Sequence, residues 1–321
     1  MRFIRFIVLA TLLVFGCSEP SDQGRWELIH SQSDGRTYSQ IHFANSSTGW
    51  IVGDNGTVKK TKDGGSTWES QNSGITSKFW DISSVTKNLL WICGHNGSLI
   101  KTSDGGDTWQ TLLHGDTLDG IFISVAFVDE NVGWLSNNNG SILKTMDGGI
   151  TWELSKKHSS GGAWIFAFDD ATQYHVKGKL FRTFDGGASW DSVSIDRPAN
   201  YSSWGASFPD KDHGFLPTEN GTGGMIIEEY PVLSTQNGGE SWQESPYLET
   251  GGYGLRCIWF IDGNTGWVGG SQNMFKTTDG GESFSREVVP DEFHPRNMTF
   301  IDENHGWAVS YSGEVYRYSG D

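Results

Sequence analysis

An eight-residue box, T-x-[D/N]-G-G-x-[S/T]-[W/F], recurs six times in this 321-residue chain. It reads TKDGGSTW at 61–68, TSDGGDTW at 102–109, TMDGGITW at 145–152, TFDGGASW at 183–190, TQNGGESW at 235–242 and TTDGGESF at 277–284. The closing aromatics Trp68, Trp109, Trp152, Trp190, Trp242 and Phe284 are 41, 43, 38, 52 and 42 residues apart. A second signature precedes most boxes, ending at Trp50, Trp91, Trp134, Phe215, Trp267 and Trp307, usually as Gly-Trp or Gly-Phe. Turn segments such as GDNGT and NNNGS lie between the two, and helical periodicity is absent. Each unit therefore reads as four short strands, A to D, with the period of a β-propeller blade.

In the first unit the strands fall near 38–44, 49–53, 57–61 and 66–70, so the box is the C–D hairpin. Its acid can accept N–H groups of its own turn, and its glycines permit positive φ. Asp63, Asp104, Asp147, Asp185, Asn237 and Asp279 are accordingly expected to be structural pins, with the box tryptophans filling space between blades. Calcium is not expected, because one carboxylate per turn supplies too few oxygens. No other metal or cofactor is expected either. GRWEL (24–28) matches a D strand with no blade before it, and VYRYSGD (315–321) a C strand with no D strand after it. Joining them makes a seventh blade and hides the sheet edges. The expectation is all-β: a seven-bladed propeller over 25–321, closed by its N-terminal strand.

Residues 1–16 carry Arg2, Arg5 and an apolar run from Phe6 to Phe15, the pattern of a signal peptide. VFGC resembles a bacterial lipobox, which would make Cys17 the lipidated first residue, although Phe15 departs from the usual small residue. Residues 17–24 then form a tether, and the protein belongs in the cell envelope, on the outer-membrane or periplasmic side in a Gram-negative cell. Loss of residues 1–16 leaves 21 basic against 39 acidic residues, a net −18. Such a surface repels nucleic acid, and contact with the membrane is expected only through the lipid. Cys93 and Cys257, in repeats far apart on the ring, are expected to be buried thiols and not a disulfide.

The six boxes and the strands before them resemble the photosystem II stability/assembly factor family of Asp-box propellers, over about 25–318. The resemblance implies a non-enzymatic factor that binds a protein partner, partly through a basic patch that is not a sequence motif. Nothing in the chain points to photosynthesis itself. Asp boxes also occur in sialidases and glucan hydrolases, but the Arg-Ile-Pro start typical of sialidases is missing, and the chain has length for one propeller only.

Of 15 tryptophans, 11 belong to the repeat, which leaves Trp80, Trp164, Trp204 and Trp259, all in A strands. Aligning the A strands on Phe43, Val85, Phe127, Phe168, Phe208, Phe260 and Phe300 places Trp80, Trp164 and Trp204 in one row with Tyr38 and Phe122. That row is expected to form a rim of aromatic platforms around the mouth of the central channel. Arg256, Arg296, Arg36 and Lys78 stand in or above the same row, in blades six, seven, one and two. These four would form a basic sector suited to carboxylates. The long B–C connection of blade five, 217–231, adds an expected apolar tip of Met225, Ile226, Ile227 and Tyr230 on this face.

The function expected from these residues is an envelope binding or assembly module that recognises a protein or peptide over the channel mouth. One rival is a glycan-active enzyme, with Arg36, Arg256 and Arg296 clamping a carboxylate and Tyr38 or Tyr253 as nucleophile. Its acids would have to come from Asp81, Glu249, Asp291 and Glu292, expected in upper loops, as a pair about 5–10 Å apart. A sugar-binding propeller that uses the tryptophan rim is the other.

Overall fold

The computed structural model describes residues 25–31, 35–115, 120–158, 164–195, 201–202, 205–220, 229–250 and 254–320. Strands follow one another almost without interruption, and the described residues include no α-helix. Blade one is built from Tyr38–Phe43, Gly49–Gly53, Val58–Thr61 and Glu69–Ser70, hydrogen-bonded in chain order. Blades two, three, four and six repeat this four-stranded meander. In blade seven Pro295–Asp302, His305–Ser310 and Glu314–Ser319 are completed by Arg25–Ser31 as strand D. Trp26 pairs with Tyr318, which closes the ring as the two orphan strands implied.

Blade five departs from the pattern. Gly214–Pro217, Val232–Thr235 and Gln243–Glu244 make a three-stranded sheet, and the place of strand A is held by a bridge from Ser207 to Phe215. Its long B–C connection pairs at both ends, Tyr201–Ser202 with Glu219–Asn220 and Glu229–Tyr230 with Leu248–Glu249. Tyr230 is buried against Leu248 and Leu255, so it anchors this connection and does not tip it; Met225, Ile226 and Ile227 lie outside the described residues. A phenol ring beside two leucines gains more from burial than from exposure on a loop.

The blade interfaces explain the Gly-Trp signature. The Trp of one strand B stacks on the Phe that ends strand A of the next blade: Trp91 on Phe127 at 3.7 Å, Trp267 on Phe300 at 3.7 Å, Trp307 on Phe43 at 3.6 Å. Phe215 on Phe260 does the same at 3.4 Å. Where a glycine precedes the strand-B aromatic it lies under the Phe of its own blade, while in blade two Leu90 precedes Trp91 and Ser84 stands opposite it. A Cβ at Gly49 would sit 2.7 Å from the Phe43 ring, and one at Gly306 2.2 Å from Phe300. Only glycine leaves room for the ring.

The boxes fold as expected. In the first, Asp63 accepts the Thr67 N–H at 2.9 Å and the Thr67 hydroxyl at 2.6 Å, and the Thr61 hydroxyl bridges Asp63 to the Gly65 N–H. Gly64 and Gly65 have φ of 72° and 91°, open to glycine and strained for other residues. Asn237 makes the equivalent bonds in the fifth box through its amide oxygen and nitrogen. The box tryptophans are half-buried against the clusters between blades, whereas the strand-B tryptophans are the fully buried ones. A further bond was not foreseen. The carbonyl of the first box glycine accepts a donor from the preceding blade, Trp307 to Gly64, Trp50 to Gly105 and Trp91 to Gly148. Lys144 to Gly186 and Arg182 to Gly238 substitute a cation in the same place. Five of the six boxes are thus both a turn and an inter-blade latch.

Cys93 and Cys257 are buried free thiols. Among the described residues no helix is long and apolar enough to cross a membrane, and no cluster of three or more His, Cys, Asp or Glu side chains is placed to hold a metal ion.

Candidate functional site at the channel mouth

Strand A of every blade faces the axis, and the A strands line a central cavity of about 540 Å³. Strand pairing sets its polarity. Strand A starts opposite the end of strand B, so the D–A and B–C connections share one face while the A–B turns and the boxes share the other.

At the mouth, four A strands contain a register shift: Tyr38/Gln40, Phe79/Asp81, Phe122/Ser124 and Pro295/Asn297. The extra residue of such a bulge is re-aimed. In blades two and seven it is Trp80 and Arg296, both on the cavity wall. Tyr38, Phe79 and Phe122 precede the bulge, pair with Gly53, Gly94 and Asn137, and point into the inter-blade core. Tyr38 and Phe122 are 0% exposed. They are therefore not platforms, and the expected aromatic row merges two structural rows. The anchors of blades two and four are each off by one residue: in blade four Ala167, and not Phe168, pairs with Gln173. Ser84, and not Val85, pairs with Leu90 as Phe43 pairs with Gly49, and a shift of one residue changes the face of the strand.

Trp164 and Trp259 line the cavity with Trp80, while Trp204 lies outside the described residues. The basic residues converge on two rings. Lys78 Nζ lies 4.5 Å from the Trp80 ring centre, and the Arg296 guanidinium 5.6 Å from the same ring. Arg296 is also 4.9 Å from the Tyr311 ring, and Arg256 5.8 Å from it. Lys78, Trp80, Arg296, Tyr311 and Arg256 thus form one cation–aromatic ladder, the rings screening the like charges from each other. Arg296 is fixed by donating to the Tyr38 carbonyl at 2.8 Å, and burial draws its guanidinium below the usual value. Lys78 pairs with Asp54 at 2.8 Å. Partial burial works against ionisation of Asp54, but Lys78 and Thr37 hold its carboxyl below the ordinary range. Asp54 thus offsets the charge of Lys78 at the mouth. Arg36 is exposed and is not on the cavity wall.

Tyr311 was missed in the sequence. It opens the B–C turn of blade seven, where blades one and two carry Asp54 and His95. His95 stacks on Trp80 at 5.7 Å, so these turn positions reach the ladder too. An aromatic residue in a Tyr-Ser-Gly turn was the available signal. Beside it, Arg256, Tyr311, Ser271, Gln272, His294 and Pro295 line a side pocket of about 340 Å³.

Of the described residues of the enzymatic alternative, Arg256 and Arg296 meet at Tyr311, but the Tyr38 side chain does not join them. Tyr38 is buried, which denies its hydroxyl the access a nucleophile needs, and Tyr253 lies outside the described residues. Asp81 lies in strand A of blade two and not in a loop. It accepts the Gln40 amide, the Ser124 hydroxyl and the Ile82 and Val125 N–H groups. Burial nevertheless raises its pKa, and it acts as a tie between three A strands.

Ring, boxes and ladder together define an Asp-box β-propeller with a cation–aromatic mouth at one end of its channel. Residues 19–319 match the family described as Photosynthesis system II assembly factor YCF48. The chain belongs to that family. Its fold is similar to the solved structure "YCF48 bound to D1 peptide", with TM-score 0.74 and 21% identity over 92% of this chain and 97% of that one. YCF48 from Cyanidioschyzon merolae gives TM-score 0.74 and 19% identity over 92% and 98%. The GH74 xyloglucanase from Xanthomonas campestris also shares the fold, with TM-score 0.70 and 13% identity, over 91% of this chain but 53% of the enzyme. No curated protein matches the chain.

Proposed function

We propose that this chain is a non-enzymatic binding module of the cell envelope, tethered by a lipid on Cys17, that captures a protein or peptide segment at the channel mouth. The observation that carries the reading is the ladder of Arg256, Tyr311, Arg296, Trp80 and Lys78 at the open end of a cavity. Two guanidinium groups held on aromatic faces suit a carboxylate, and the rings suit the apolar part of the same segment. The fold shared with a YCF48 that was solved bound to a D1 peptide supports a peptide ligand. The acidic remainder of the surface, at formal net charge −16 for the whole chain, makes the mouth the preferred landing point for an acidic partner.

The test is a tagged pull-down from native membranes. Arg256→Glu combined with Tyr311→Ser is expected to reduce partner recovery by about tenfold or more, the scale of losing a central anchor. Raised salt is expected to weaken the wild-type complex. Full recovery by this variant, with an unchanged Tm, would place the binding surface elsewhere. Cys17→Ala is expected to release the protein from the membrane fraction, and retention after a salt wash would refute the lipid tether.

A further inference from the structure

The first described residue, Arg25, and the mouth are on opposite faces. Strand Arg25–Ser31 runs antiparallel to Glu314–Ser319, with Arg25 beside Ser319 and Ser31 beside Glu314. Ser319 in turn pairs with His305, and the Gly320 N–H bonds Asn304 in the A–B turn of blade seven. A–B turns lie with the boxes, as the bond from Gly64 N–H to the Ser47 carbonyl shows in blade one. The described chain therefore begins at the box face, in the place a seventh box would take. Eight residues lead from Cys17 to Arg25, and eight residues reach at most about 28 Å.

The same face carries an apolar patch. Box positions two and six hold Lys62 and Ser66, Ser103 and Asp107, Gln236 and Glu240, or Thr278 and Glu282 in four boxes. In blade three they are Met146 and Ile150, 65% and 69% exposed, and in blade four position two is Phe184, 56% exposed. Leu154, on strand D next to the blade-three box, is 60% exposed. Half of the large hydrophobic side chains that are exposed among the described residues thus fall within residues 146–184. In a seven-membered ring, blades three and four lie across from blade seven. A lipid below blade seven and an apolar patch below blades three and four are two well-separated footholds on one plane.

We propose that the box face rests on a phospholipid bilayer, with Met146, Ile150 and Phe184 entering the headgroup layer opposite the tether. The channel mouth is then turned away from the membrane. The proposal rests on the lipid reading of Cys17. Net-acidic chemistry disfavours anionic lipid, so the fitting surface is zwitterionic.

The test uses the full lipidated chain bound to phosphatidylcholine vesicles that contain a spin-labelled quencher lipid. An environment-sensitive fluorophore is placed at Ile150→Cys, at Phe184→Cys or, on the opposite face, at Tyr247→Cys. Cys93 and Cys257 stay unlabelled in the folded protein, because both are buried and burial pushes the Cys257 thiol up to about 12. Probes at 150 and 184 are expected to be quenched severalfold more than the probe at 247. Equal quenching at all three, or stronger quenching at 247, on a chain that does bind vesicles overturns the orientation and leaves the lipid reading standing. A chain that does not bind vesicles at all overturns both.

Discussion

The box face and the channel mouth are the two ends of the same strands, and they were built under different constraints. At the box end five glycine carbonyls each take a donor from the neighbouring blade, and every box acid is bound within its own turn. A change there disturbs two blades at once. At the mouth, connections range from a short Tyr311-Ser312-Gly313 turn to the long segment of blade five, and bulges aim different residues at the axis in different blades. The scaffold is fixed by one end, so the other end has room for recognition.

The comparison breaks first at the interface glycines if it is wrong. Gly306→Ala would set a Cβ 2.2 Å from Phe300, whose ring is stacked on Trp267. It is expected to cost about 3 kcal/mol, the upper range for overpacking, as read by denaturant unfolding. A cost near zero would mean the stacked rings do not set blade spacing. Next comes Thr61→Ala, which removes the hydroxyl that accepts the buried Gly65 N–H at 2.9 Å. About 2 kcal/mol of stability should be lost, with partner recovery per folded molecule unchanged. A fall in recovery larger than the fall in folded protein would tie the box to binding.

The smallest effects are in pH dependence, and they separate the faces. His175 lies on the mouth side between blades three and four, stacked on His158 at 5.0 Å. Burial, with His158 and Lys177 adding to it, lowers its pKa to about 3. Its contribution is complete above about 6.5 and is lost as pH falls from there toward 3. At the box end, the Thr151 hydroxyl and then the Thr151 N–H hold Asp147 at about 2, against 3.8 for the ordinary carboxyl. Its contribution is present above 3.8 and is lost only as pH falls through about 2. In thermal melts His175→Phe is expected to flatten the loss of Tm between pH 6 and 4, and Asp147→Asn only the loss below pH 4. Identical acid limbs in both variants would remove the distinction.

The ring was readable in the sequence because box and Gly-Trp signature come back at near-constant spacing, and because Trp26 and Tyr318 sit in strands that lack partners within their own units. The mouth was readable in part. Arg256, Arg296, Lys78 and Trp80 were found by residue type and do meet there. Tyr38 and Phe122 were misplaced because Ser84, and not Val85, is the equivalent of Phe43, which matches them with Phe79 and not with Trp80. Asp54 escaped notice for another reason. Its charge matters only because the turn of blade one folds over the start of blade two, a contact between residues 54 and 78.

The closing strand also fixes the order in which the molecule can be finished. Residues 25–31 leave the ribosome before every other described strand of the ring, and their partner strand, 314–319, after all of them. Six blades can assemble from neighbouring sequence while the seventh waits, and the final loop closure spans the whole ring. Such a long-range last step is slow, and until it occurs the Glu314–Ser319 edge stays unpaired. Truncation of only a few residues at either side of that seam would therefore cost the whole ring its latch, although blades one to six would be intact.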